Sequence, residues 1–294
     1  MLANYANILH FNDMRYLDHR RTILEKLSYS TSLFLLGCGS PVHAQSTKIP
    51  HPDEPRAGIE YFIERPEGSG PWPTVVFLHG HQNGSRRVGG RAFVDWGVLK
   101  RFAQLGYLSV SISLPGFGGS QGNEDFAGPF TQKAVTAVIE KLKTDGQASR
   151  QKILIQGISL GAVTAALVAA DDQTLAGLVL ISGLYDLPAF FRQPKSAAAA
   201  SIKAVATAQT GGSEEALRAR SALFVASRIR ASTLIMNGGD DDRTDPDQAT
   251  RFSEAINAGS GKASVHIFPG VGHEIPISLR DNEITAFIAA TLRA

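Results

Sequence analysis

From Gly58 onward, apolar positions along the chain switch between two periods. Short runs rich in β-branched residues at 74–78, 108–113, 153–156, 178–181, 234–236 and 265–268 read as strands. Several are continuously apolar, as expected for strands covered on both faces. Gly58–Glu64 alternates instead, which predicts one arm of an antiparallel hairpin. Between the runs, helical spacing predicts helices over 93–105, 131–142, 161–170, 247–258 and 279–292. This strand-helix rhythm predicts an α/β fold. It would be a mostly parallel sheet of about eight strands with helices on both faces. The interval 188–232 breaks the rhythm after the sixth strand. It holds an Ala-rich run and a second helical pattern that starts at Ser213, and it reads as a small helical insertion or cap.

Length fits this picture, since 294 residues suit one large domain. Hydrophobic residues make up 43% and charged residues 19%, an ordinary globular balance. The net charge is +2 and the basic residues are scattered, so no nucleic-acid partner is implied. Residues 1–44 read as a targeting segment, with Arg20, Arg21 and Lys26 ahead of a weakly apolar stretch at 28–37. That stretch is too short to span a bilayer. Two endings compete: a signal-peptidase site at Val42-His43-Ala44, or a lipobox ending at Cys38, which would then carry a lipid anchor. Either implies export, and Met14 is an alternative start that gives a more usual signal length. Cys38 is the only cysteine, which leaves no internal disulfide. Residues 45–57, Pro-rich at 50–55, read as a linker to a domain over 58–294.

In open α/β sheets chemistry gathers at the carboxyl ends of the strands, and four such ends carry unusual residues. After 153–156 comes Gly157-Ile158-Ser159-Leu160-Gly161, a G-x-S-x-G run between a strand and a small-residue helix. That setting suits a nucleophile elbow, with glycines allowing a sharp turn and a helix N-terminus favouring negative charge. After 234–236 come Asp240, Asp241, Asp242 and Asp245, any of which could orient a histidine. Asp245 precedes Pro246 and suits a helix N-cap. After 265–268, Gly272-His273 places a histidine late in the chain, in the order serine, aspartate, histidine. After 74–78, His79-Gly80-His81 forms a loop whose backbone N–H groups could face the serine. An oxyanion hole would draw one donor from Leu160 and one from His81.

Together these runs resemble the α/β-hydrolase superfamily of serine hydrolases, with an esterase or dienelactone-hydrolase-like feel, over roughly residues 58–294. The H-G-x loop at His79 and the Gly-rich loop from Pro115 to Ser120 are of the kind the superfamily shows. So are the elbow at Ser159 and the Gly-His pair at His273. The superfamily's G-x-x-D pattern, counted from Gly238, implies Asp241 as the acid. Three residues depart from the superfamily's usual pattern: Arg243-Thr244 stand where apolar residues are usual, and Ile158 stands where an aromatic or histidine is common.

The resemblance implies a Ser159-His273-Asp241 triad that needs no cofactor or metal and acts on a small-molecule ester. A peptidase, an amidase or an acyltransferase could use the same triad, and a binding protein could keep the fold without catalysis. The large peptidases of the superfamily usually carry an added propeller domain, for which this length leaves no room. Phe190, Phe191 and Phe224 would either line a pocket or pack the insertion down. Arg243 would either meet an anionic substrate or join a salt bridge in the acidic loop.

Overall fold

The computed structural model describes residues 44–84 and 87–293. The targeting segment as far as His43, including Cys38, lies outside them, and so does all of the signal-peptidase site but Ala44. Eight strands form one sheet in the order β1-β2-β4-β3-β5-β6-β7-β8. They are β1 (Gln45–Pro50), β2 (Gly58–Glu64), β3 (Trp72–Leu78), β4 (Leu108–Ile112), β5 (Ala148–Ile158), β6 (Gly177–Ile181), β7 (Ser232–Gly238) and β8 (Lys262–Phe268). β1 and β2 pair antiparallel, β2 meets β4 antiparallel, and every remaining pair is parallel. This is the α/β fold read from the sequence.

The helices are α1 (Arg91–Asp95), α2 (Val98–Gln104), α3 (Pro129–Thr144), α4 (Leu160–Asp171), α5 (Leu187–Arg192), α6 (Ala197–Thr210), α7 (Glu214–Arg218), α8 (Pro246–Asn257) and α9 (Ile277–Arg293). The single helix expected over 93–105 is two, parted at Trp96-Gly97.

Successive strand residues feed opposite faces of the sheet. Val76, Leu78, Ile155 and Leu180 join the core that holds α3 and α4, while Val75, Phe77, Leu154 and Val179 join the core under α1, α2 and α9. Phe77 anchors the second face, with its ring 5.3 Å from that of Phe93 and 5.1 Å from that of Phe102. α9 seals it with Ile284, Ile288 and Leu292, spaced four apart on one side of the helix. α4 is apolar all round and buried from Leu160 to Ala170, as a helix inside a layered domain must be.

The segment expected as a linker is partly sheet. Gln45–Pro50 forms the edge strand β1, in register with β2 so that Ile49 faces Ile59. Its alternation is hidden because only Ile49 is apolar, and an outer edge tolerates the terminal Pro50. The turn that follows is pinned rather than loose. His51 is buried, donates from Nε2 to Phe130 O (2.9 Å), accepts from Asp53 N, and stacks on the Phe130 ring.

The expected insertion after β6 is present as α5, α6, α7 and a 3-10 turn over Ala222–Arg228. Side-chain caps start each helix: Asp186 accepts from Ala189 N, Ser196 from Ala199 N and Ser213 from Ala216 N. Phe190 and Phe191 are buried in the core, whereas Phe224 is exposed beneath the Arg218 guanidinium. Among the described residues no helix is long and apolar enough to cross a membrane.

Candidate active site

The four loops singled out above leave the same end of the sheet, and those after β5, β7 and β8, joined by the loop after β6, continue its hydrogen-bond ladder beyond the strands. Ser159 N donates to Ile181 O (2.8 Å), Ser182 N to Met236 O (2.8 Å) and Gly239 N to Phe268 O (2.8 Å). Asp240 N then reaches Val271 O (2.9 Å). The loops after β5, β6, β7 and β8 are thereby stitched side by side.

Ser159 stands between β5 and α4 with φ 52° and ψ −115°. A non-glycine residue held there carries strain on the order of 1–3 kcal/mol, retained only where the surroundings enforce it. They do so by crowding: a Cβ at position 157 would overlap the carbonyl of Gly161, and one at 161 would overlap that of Leu78. The turn is therefore as tight as the two glycines allow. Leu160 is the first residue of α4, so its N–H lies ahead of the internal helix bonds.

Asp241 and His273 come together. The side chain of Asp241 is fully buried, and His273 Nδ1 lies 2.9 Å from Oδ2 and 3.1 Å from Oδ1. Four further donors hold the carboxylate. Arg243 N and Thr244 N each reach Oδ1 at 2.9 Å, while Thr244 Oγ1 reaches Oδ2 at 2.6 Å and Asn237 Nδ2 at 3.2 Å. Burial alone would raise its pKa, but the hydrogen bond and charge of His273 and the Thr244 donors outweigh burial and hold it below the ordinary value.

The competing aspartates do other things. Asp240 and Asp242 are exposed, and Asp245 caps α8 by accepting from Asp247 N while it binds Lys195. Arg243 pairs with Glu274 of the histidine loop at 3.1 Å, rather than within the acidic loop. Among the described residues no hydrogen bond joins the Ser159 hydroxyl to His273.

His79 is buried and fully occupied. Its Nε2 accepts from Leu114 N (3.0 Å), so Nδ1 carries the proton and donates to Gly80 O (2.7 Å). Desolvation pushes its pKa down to about 4. It thus ties the loop after β3 to the end of β4. The next residue, Gly80, sits against the elbow: a Cβ there would meet Ser159 Cβ at 3.2 Å. The His81 side chain turns away, with Nε2 toward Asn83 Oδ1 (2.8 Å) and the ring edge-on to Phe117. The backbone N–H groups of His81 and Leu160 have no hydrogen-bond partner among the described residues.

Three contributors escape sequence reasoning. Ser182 is buried with φ 52°, and its hydroxyl donates to His273 O (2.8 Å). Thr244 and Asn237 add donors to Asp241. A polar residue directly beyond an apolar strand is the available signal for Ser182 and Asn237, and Thr244 is visible as a departure from an apolar pattern.

Residues 99–293, well over half of the chain, match the prolyl oligopeptidase family. The chain belongs to the prolyl oligopeptidase family. It is thereby a member of the α/β-hydrolase superfamily of serine hydrolases, as its fold also indicates. The matched stretch includes Ser159, Asp241 and His273 and begins after the His79–Gly80–His81 loop. Among solved structures, the chain resembles a Pyrococcus horikoshii acylaminoacyl peptidase at 20% identity and TM-score 0.68, covering 85% of this chain and 41% of that one. It resembles a Mycobacterium tuberculosis puromycin-hydrolyzing peptidase at 20% identity and TM-score 0.71, covering 85% and 39%. It also resembles an acetyl xylan esterase from Paenibacillus sp. R4 at 19% identity and TM-score 0.65, covering 86% and 90%. The chain thus spans about two fifths of the peptidases and nearly all of the esterase. No curated protein matches the chain.

Proposed function

We propose that this family member cleaves carboxylic esters through an acyl-enzyme, with Ser159 as nucleophile, His273 as base and Asp241 as the acid that orients it. The observation that carries the reading is the His273-Asp241 pair. A histidine whose Nδ1 is bound to a fully buried carboxylate is held in one tautomer, with Nε2 free to take a proton. The strained Ser159 stands at the same carboxyl end of the sheet. In free enzymes such serine-histidine contacts are often long and tighten with substrate.

The reaction follows from these groups. Nε2 of His273 removes the hydroxyl proton as Ser159 Oγ attacks the carbonyl carbon. The negative charge that forms on the carbonyl oxygen is met by the free N–H groups of Leu160 and His81, beside the N-terminus of α4. Collapse expels the alcohol, which takes the proton from His273. Water then attacks the acyl-enzyme by the same route. Asp241 stays ionised throughout and stabilises the imidazolium.

The ester reading is favoured because esters carry better leaving groups than amides, so a plain triad suffices. The near-complete coverage of an esterase supports it. The family match and the peptidase neighbours favour peptide or aminoacyl amide cleavage as the second reading. Hydrolysis of p-nitrophenyl acetate and butyrate is compared with that of aminoacyl p-nitroanilides, in wild type and Ser159→Ala. Ester turnover that vanishes in the variant, with fluorophosphonate labelling at position 159, is the expected result. Turnover of anilides alone would favour the peptidase. Equal inertness of both proteins, with no labelling, would overturn the hydrolase reading.

A further inference from the structure

Asp241 holds more donors than orientation of a histidine requires. The two backbone N–H groups on Oδ1 already fix the carboxyl plane. The Thr244 hydroxyl adds a bond to Oδ2, the oxygen nearer His273 Nδ1, at the 2.6 Å typical of a hydroxyl on an ionised carboxylate. Thr244 is itself buried, so water does not compete for the bond. Oδ2 therefore divides its charge between the hydroxyl proton, the imidazole proton and the longer 3.2 Å bond from Asn237 Nδ2.

We propose that Thr244 is a positioning residue that tunes His273 through Asp241: its hydroxyl draws charge off Oδ2 and so weakens the carboxylate's pull on the imidazole N–H. The inference rests on the reading of Ser159, His273 and Asp241 as a catalytic set. Its logic is electrostatic. The positive end of the hydroxyl dipole lies against the carboxylate, and removing it leaves a more negative potential at the imidazole. His273 would then hold its proton to higher pH, and less of the enzyme would carry a free base at pH 7.

The charged groups nearby have partners of their own or stand in solvent. Arg243 and Glu274 pair with each other, and Lys195 of the insertion is held by Asp245. Asp240 and Asp242 on the same loop are exposed, and Arg280 of α9 donates to Ile275 O. The loop after β6 carries Ser182, whose hydroxyl bonds the His273 carbonyl rather than its ring, the buried Tyr185, and Asp186, which pairs with Arg251 of α8. None of these side chains bonds Asp241 or the His273 ring.

The test measures the rate of Ser159 labelling by a fluorophosphonate from pH 5 to 9. In parallel the His273 imidazole is titrated by NMR, in wild type, Thr244→Val, Thr244→Ala and Thr244→Ser. In Val and Ala, the acid limb of labelling and the His273 titration should both move up by about half to one pH unit. Ser should follow wild type. A purely structural role would lower rates without moving either midpoint. The inference is overturned if Val and Ala titrate like wild type, or if Ser shifts as they do. Should Val fail to fold, Ala carries the comparison. Absence of labelling in wild type itself would count against the hydrolase reading, whereas the NMR midpoints still decide the role of Thr244.

Discussion

Gly238 ends β7, and the histidine loop lies directly over it. A Cβ built on Gly238 would stand well under 3.0 Å from the carbonyl oxygens of both Val271 and Gly272, and 2.8 Å from Val271 C. Ordinary nonbonded carbon-oxygen separations exceed about 3 Å, so Gly238→Ala must part the loop from the strand by roughly 1 Å. Both clashing groups are backbone, and Asp240 N is bonded to Val271 O, so no side chain can yield instead. The displaced segment ends in His273. In the proposed role of His273, a shift of about 1 Å is worth roughly 10²-fold in rate, or about 2.7 kcal/mol of transition-state stabilisation. The same overpacking should lower stability by about 1–3 kcal/mol, leaving a folded protein. Gly239→Ala is the control, because its Cβ would meet nothing nearer than 3.2 Å. The assay is kcat/KM for p-nitrophenyl acetate, with urea unfolding alongside. A folded Gly238→Ala protein retaining a third or more of wild-type kcat/KM would refute the argument.

The choice of acid and the buried histidine give further expectations. Asp241→Asn should lower kcat by about 10⁴, whereas Asp240→Asn and Asp242→Asn should leave it within about threefold; sensitivity at Asp242 instead would displace Asp241 from its role. His79 should make stability fall in acid. The unfolded chain binds the proton near pH 6.5, while the folded protein resists it down to about 4. Stability from this group is thus complete above pH 6.5 and declines as pH falls toward 4. Between pH 7.5 and 5 the loss is about 2 kcal/mol, measured by urea unfolding, and it should be absent in a folded His79→Gln variant.

The parallel strands and their helices were legible because burial on both faces leaves unbroken apolar runs that polar turns cannot imitate. The elbow was legible for a different reason. Its steric demand admits glycine at 157 and 161 and so writes itself into the chain. Gly238 left the same kind of mark, and it is the first residue of the pattern that singled out Asp241. β1 left little trace, since one half-buried residue in two on an edge strand needs only one apolar side chain. Trp96-Gly97 divides a helix that hydrophobic spacing alone draws as continuous. The partners of the site were hidden because they are tertiary: Ser182 meets His273 across 91 positions of sequence, and nothing local to either announces the bond.

The bonds that carry the ladder past the strand ends have a thermodynamic consequence. Loops that bear reactive groups usually open at far lower free energy than the core beneath them. Here the amides of Ser159 and Ser182 are closed by carbonyls of β6 and β7 themselves, Ile181 and Met236. Freeing either amide means unpairing the end of a central parallel strand. The elbow and its neighbour are therefore part of the cooperative unit of the sheet, and the strain at position 159 cannot relax by local fraying. Geometry at the proposed nucleophile is retained for as long as the sheet is folded.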